Sequence, residues 1–81
     1  MNDTELQSTL RRILADITSD SEANIIKADV RIRDQLDLDS MDFLNFLIAV
    51  NEELNVDIPE ADYPKLRTLN DIASYLAAKL N

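Results

Sequence analysis

The sequence predicts an all-α fold: a four-helix bundle with a short third helix and a long loop between the first and second helices. Three observations carry that prediction. Apolar residues recur at helical spacing in three separate stretches, each long enough for several turns. Helix-start residues stand in front of each: Thr4, the pair Asp39-Ser40, and Thr68. The one stretch that alternates like a strand, Val30-Arg31-Ile32-Arg33, has no second strand to pair with.

The first helix is expected to start at Thr4, which forms a capping box with Gln7. Leu6, Leu10, Ile13, Leu14 and Ile17 make its apolar stripe, leaving Arg11, Arg12 and Asp16 to face water. Thr18-Ser19-Asp20-Ser21 ends it. The long connection to Asp39 carries enough apolar residues to be pinned across the bundle: Ile25, Ile26, Val30, Ile32, Leu36 and Leu38. A short helical turn fits near Ser21–Ile26.

The second helix runs from about Ser40 to Asn55, with Ser40 at its N-terminus and Asn55 as a left-handed cap. At about 100° per residue it has two apolar stripes. Phe43, Phe46, Leu47, Val50 and Leu54 form one; Met41, Leu44 and Ile48 form another, in the half nearest Ser40. One stripe suffices to bury a surface helix, so the second is a candidate docking surface.

Asp57-Ile58-Pro59 is extended, and Pro59 to Tyr63 form the short third helix, limited to about one turn by Pro64. Tyr63 and Leu66 are its inward anchors. The last helix starts at Thr68, boxed with Asp71, and buries Leu69, Ile72, Ala73, Leu76 and Leu80. Tyr75 lies off that stripe as a partly exposed aromatic, and Lys79 complements the helix dipole.

Composition narrows the function. The chain has 81 residues and reads as one domain, residues 1–81. With 46% hydrophobic residues it folds rather than staying disordered. Sixteen acidic against eight basic residues give a net charge of −8. That balance disfavours nucleic acid and anionic membranes and favours basic protein partners. There is no Cys and no His, so the usual nucleophile–base pairs and transition-metal ligands are missing. Asp37, Asp39 and Asp42 hint at a calcium loop, but counting from Asp37 puts Asp42 where the loop needs Gly and Ile48 where it needs Glu. No metal site is expected. The acidic N-terminus lacks a signal-peptide layout and no apolar run spans a membrane, so a cytoplasmic monomer is expected. There is also no Gly, so Asn or Asp must serve wherever the backbone needs positive φ.

Asp39-Ser40-Met41, the apolar helix with acidic residues after it, and the later Val56-Asp57-Ile58-Pro59 resemble the acyl carrier protein family. The resemblance runs from about Leu6 to Leu80. In that family the serine of an Asp-Ser-Leu or Asp-Ser-Met motif is esterified with 4′-phosphopantetheine, donated by coenzyme A. The resemblance therefore implies a carrier rather than an enzyme, with Ser40 as the attachment point. It implies a phosphopantetheinyl transferase as one partner, and acyl-loading and acyl-processing enzymes such as ligases, transferases and ketosynthases as others. Asp39, Met41, Asp42, Leu44, Asn45 and Ile48 are the expected docking residues. The interior lined by Phe43, Phe46, Leu47, Val50, Tyr63 and Leu66 is where an acyl chain would be sequestered. The family's acids are replaced by Asn45 and Asn51, which shifts docking toward the apolar stripe. Asp37 stands where the family has Gly and is the expected positive-φ substitute. An aminoacyl or D-alanyl carrier shares the Asp-Ser-Met form, and an unmodified helical adaptor, with Ser40 only a cap, is the reading from a different class.

Overall fold

The computed structural model describes residues 2–19 and 21–80, with the side chain of Ser21 left out; the expected break at Asp20 lies outside the described residues. Helix α1 spans Asp3–Thr18, α2 is a single turn at Ile32–Gln35, α3 spans Ser40–Leu54 and α4 spans Leu69–Leu80. Two 3₁₀ helices, Ser21–Asn24 and Glu60–Lys65, complete the chain, and no strand occurs among the described residues. Helix α1 packs against both α3 and α4. The four-helix bundle is as expected, with the 3₁₀ helix at Glu60–Lys65 in the place of the short third helix.

The cap of α1 lies two residues earlier than its Thr4 signal, and the helix begins at Asp3. Asn2 is the cap, its Oδ1 accepting from the Glu5 N–H at 2.8 Å. Asn is the stronger cap of the two, and Gln7 instead donates to Asn70 at 2.9 Å, tying α1 to α4. Leu6, Leu10, Ile13 and Leu14 are buried as expected, but Ile17 is 36% exposed because the helix outruns the core by a turn. Arg11 does not face water freely. Its Nη1 donates to the Ile26 carbonyl at 2.6 Å and pins the crossover to α1.

The crossover is held by side chains, which is how it stays ordered without secondary structure along much of its length. Ala23, Ile26, Ile32 and Leu36 enter the core, whereas Ile25, expected to do so, is 78% exposed. Gln35 works as a clamp: its Oε1 accepts from the Lys27 N–H, and its Nε2 donates to the carbonyls of Lys27 and Val30. The Ile32 N–H donates to the Arg67 carbonyl at 2.9 Å, and the Asn70 N–H to the Ala28 carbonyl at 3.0 Å, docking the crossover on the start of α4. The alternation of Val30 to Arg33 thus belongs to a helical turn with Ile32 inward, not to a strand.

Only Ser19 and Asn55 take positive φ among the described residues. Asn55 is the expected left-handed cap. Asp37 is not left-handed. The Leu38 N–H donates to the Leu36 carbonyl at 2.9 Å, so the chain reverses at Asp37 in a three-residue turn of negative φ, which any residue can make.

At the third helix, Pro59 is the cap rather than the first helical residue, and Pro64 does not stop the helix. Pro64 has no N–H to offer the Ala61 carbonyl, so one bond of the 3₁₀ pattern is missing there, but the turn resumes past it and the Leu66 N–H reaches the Tyr63 carbonyl at 3.0 Å. Leu66 is buried and Tyr63 half-buried. The capping box of α4 forms as expected: Asp71 N–H to Thr68 Oγ1 at 2.9 Å, and Thr68 N–H to Asp71 Oδ2 at 3.2 Å. Leu80, expected on the buried stripe, is 41% exposed beyond the end of the core.

Candidate functional site

Ser40 is the first residue of α3, and Asp39 before it is extended, with φ −88° and ψ 179°. The Asp39 carboxylate accepts from the Asp42 N–H at 2.8 Å, and its carbonyl accepts from the Phe43 N–H at 3.1 Å. The N–H groups of Ser40 and Met41 keep no partner among the described residues, as the first turn of any helix leaves its earliest donors free. They lie at the positive end of the α3 dipole. The Ser40 side chain is exposed, and nothing among the described residues hydrogen-bonds its hydroxyl. The cap on α3 is therefore Asp39. Ser40 is left over from the structural work of the helix start.

Ser40 also stands at a cavity of about 660 Å³ between α3, α2 and the 3₁₀ helix. Its apolar wall is Leu38, Phe43, Leu44, Leu47, Tyr63 and Pro64. Its polar wall is Arg31, Arg33, Asp34 and Arg67. Of the expected interior residues, Phe43, Leu47 and Tyr63 line this cavity, while Phe46, Val50 and Leu66 are buried in the core away from it. The Phe43 and Phe46 rings touch at 5.9 Å, tilted by 49°, so one ring faces the cavity and its neighbour anchors the core.

Of the expected docking residues, Met41 is 61% and Ile48 39% exposed, and Asn45 and Asp39 are exposed. Asp42 and Leu44 are half-buried, and Leu44 also lines the cavity. The apolar stripe nearest Ser40 is thus largely uncovered. Sequence reasoning missed the polar wall. The alternation of Arg31 and Arg33 around Ile32 was a signal for two of its members. Arg67 had none, because long-range backbone bonds, Ile32 to Arg67 and Asn70 to Ala28, bring it alongside.

The rim beyond the cavity is braced by a charged group of residues. Tyr75 Oη donates to Asp62 Oδ2 at 2.6 Å, Lys65 Nζ lies 3.4 Å from Asp62 Oδ1, and Lys79 sits over the Tyr75 ring at 5.2 Å. The Tyr75 hydrogen bond is the main reason the Asp62 carboxyl is held below the usual carboxylate range, with Lys65 and Lys79 adding to it. The same bond, with some burial, pushes the Tyr75 hydroxyl above its usual range. This contact ties the 3₁₀ helix that carries Tyr63 and Pro64 to α4.

A small α-helical bundle with a free serine at a helix N-terminus beside a cavity defines a class, and comparison with known proteins names it. Residues 8–76 match the family described as "Phosphopantetheine attachment site". An acyl carrier protein of Bdellovibrio bacteriovorus is 41% identical over 54 residues, covering 67% of this chain and 69% of that one. The acyl carrier protein of Thermosynechococcus vestitus is 28% identical over 80 residues, 99% of this chain and 98% of its own. A solution structure of a candidate acyl carrier protein from Anaplasma phagocytophilum superposes with a TM-score of 0.85 at 24% identity, over 100% of this chain and 94% of that one, and so shares the fold. The chain belongs to the acyl carrier protein family: it is a carrier, not an enzyme, and its cofactor is 4′-phosphopantetheine.

The residues at the head of α3 fit that group. A phosphodiester needs an unencumbered hydroxyl, nearby anion-favouring N–H groups and room, and Ser40, the free donors of Ser40 and Met41 and the adjoining cavity supply them.

Proposed function

We propose that Ser40 carries the phosphopantetheine arm, and that this single carrier domain shuttles acyl groups for fatty acid, polyketide or related biosynthesis. The arm supplies a terminal thiol on which acyl groups are held as thioesters, a chemistry for which this chain, with no Cys, has no group of its own. The observation that supports the reading most is the division of labour at the helix start. Asp39 caps α3, so the Ser40 hydroxyl is exposed and unbonded, available to a transferase.

Met41, Leu44 and Ile48 then form the apolar part of the docking surface, with Asp39, Asp42 and Asn45 around them. A basic enzyme surface is drawn by the net charge of −8, and close contact rests on the apolar stripe. Leu44→Ala should weaken binding to a cognate acyl-processing enzyme by several-fold while added salt weakens it only mildly. Steep loss with salt and indifference to Leu44→Ala would reverse that assignment.

The test of the carrier reading is an intact mass after incubation with coenzyme A and a broad-specificity phosphopantetheinyl transferase. Wild type should gain one phosphopantetheine and Ser40→Ala none. A folded wild type that gains nothing from several transferases is the result for an unmodified adaptor. Loading by an amino-acid-adenylating enzyme, rather than an acyl-loading one, is the result for an aminoacyl carrier.

A further inference from the structure

The cavity beside Ser40 has a cationic wall in an otherwise acidic protein. Three of the chain's eight basic residues, Arg31, Arg33 and Arg67, line it. Their placement follows from one hydrogen bond and one buried side chain. Ile32 is fully buried, which turns its neighbours Arg31 and Arg33 outward, and its N–H donates to the Arg67 carbonyl at 2.9 Å, which sets Arg67 against the same turn. A single carboxylate answers them within the cavity. Asp34 Oδ2 accepts from Arg31 Nε at 3.0 Å. No hydrogen bond or ion pair among the described residues engages the side chains of Arg33 or Arg67.

The charges then decide what the wall is for. Three guanidinium groups against one carboxylate leave two positive charges. A phosphodiester on Ser40 carries one negative charge, so the wall keeps one net positive charge, which a single further carboxylate shared between Arg33 and Arg67 would balance. The opposite wall of Leu38, Phe43, Leu44 and Leu47 is apolar. At about 660 Å³ the cavity is far larger than a phosphate and within the range that holds a small ligand. An apolar trough with cations along one side complements a hydrocarbon chain that bears a carboxylate, because guanidinium binds carboxylate through paired N–H donors while the methylenes are removed from water.

We propose that this carrier favours an acyl cargo with a free carboxylate, such as a dicarboxylic acid held by one end, whose carboxylate is received by Arg33 and Arg67. The inference rests on Ser40 being the attachment point. It names the cargo class, which the fold and the family leave open.

The test loads the protein with adipoyl- or hexanoyl-phosphopantetheine from the corresponding coenzyme A thioesters, chains of equal length that differ in the terminal carboxylate. Intact mass and the Ser40→Ala control establish each adduct first. NMR then follows the Nε–Hε signals of Arg33 and Arg67 and the methyl signals of Leu44 and Leu47 through the apo, holo and acylated forms. The adipoyl form should shift the arginine signals beyond their holo positions and the hexanoyl form should not, with the difference lost in Arg33→Gln and Arg67→Gln. Adducts on Ser40 with the same arginine spectra for both cargoes would overturn this proposal and leave the carrier reading standing. Arginine signals that shift fully at the holo stage and no further would also overturn it, assigning the wall to the phosphodiester. Absence of any Ser40 adduct would overturn the attachment on which the proposal depends.

Discussion

At the scale of single residues, the functional end of α3 depends on two neighbours with different tasks. Asp39 satisfies the helix start, and Ser40 is thereby free of it. Replacing Asp39 with Ala removes the cap and should cost about 1 kcal/mol, a fall in Tm of about 4–8 °C for a domain of this size. Asp39→Asn should keep most of that stability, as Asn caps equally well. A second residue-scale prediction concerns Tyr75 and Asp62. The Tyr75 hydrogen bond lowers the Asp62 pKa in the folded state, so the unfolded chain takes up the proton first as the solution is acidified. The bond's contribution is therefore complete above the ordinary carboxylate range and disappears as pH falls through the lowered folded value. Tyr75→Phe should be less stable than wild type by a constant margin from about pH 5 to about pH 9, and the margin should shrink toward about pH 3 and below, where Asp62 is protonated, and again at alkaline pH, where the Tyr75 hydroxyl ionises. Denaturant midpoints measured across that range check it; a margin that grows on acidification contradicts the assignment.

At the scale of elements, helices α1, α3 and α4 were legible because burial enforces a 3.6-residue period, and Leu6 to Leu14, Phe46 to Val50 and Leu69 to Leu76 show it directly. Ser40 was legible because a helix-start signal and a family motif coincide there. The crossover was not legible in the same way. Its order comes from Gln35, Arg11 and the Ile32–Arg67 backbone bond, contacts between residues with no common period. The reversal at Asp37 misled for a similar reason. The missing Gly suggested strain, and the chain turns there by a route that needs none. Strain does remain at the end of α1, where Ser19 takes φ 56°. Ser19→Gly should stabilise the protein by about 1 kcal/mol, since Gly carries no Cβ into the left-handed region. Asn55→Gly at the end of α3 should gain less, because Asn already tolerates that conformation. Paired unfolding curves distinguish the two, and equal gains would argue against the side-chain explanation.

At the scale of the whole molecule, the core is apolar throughout and the surface carries a net −8. Ion pairs such as Arg12–Glu53 and Arg12–Asp16 are exposed and contribute little singly. Self-repulsion should dominate, so Tm should rise as monovalent salt goes from about 10 mM to about 300 mM and the screening length falls from about 30 Å to below 10 Å. A fall in Tm would mean that the surface pairs outweigh the repulsion. The same charge distribution bears on the proposed function: the body is acidic, while the head of α3 combines a free hydroxyl, an uncovered apolar stripe and a locally cationic cavity. The central claim is that Ser40, and no other hydroxyl, carries the arm. The most direct measurement is peptide-level fragmentation of the transferase-treated wild type, with every serine covered. The account predicts the phosphopantetheine on Ser40 alone, and an adduct on Ser8, Ser19, Ser21 or Ser74 with Ser40 unmodified would contradict it.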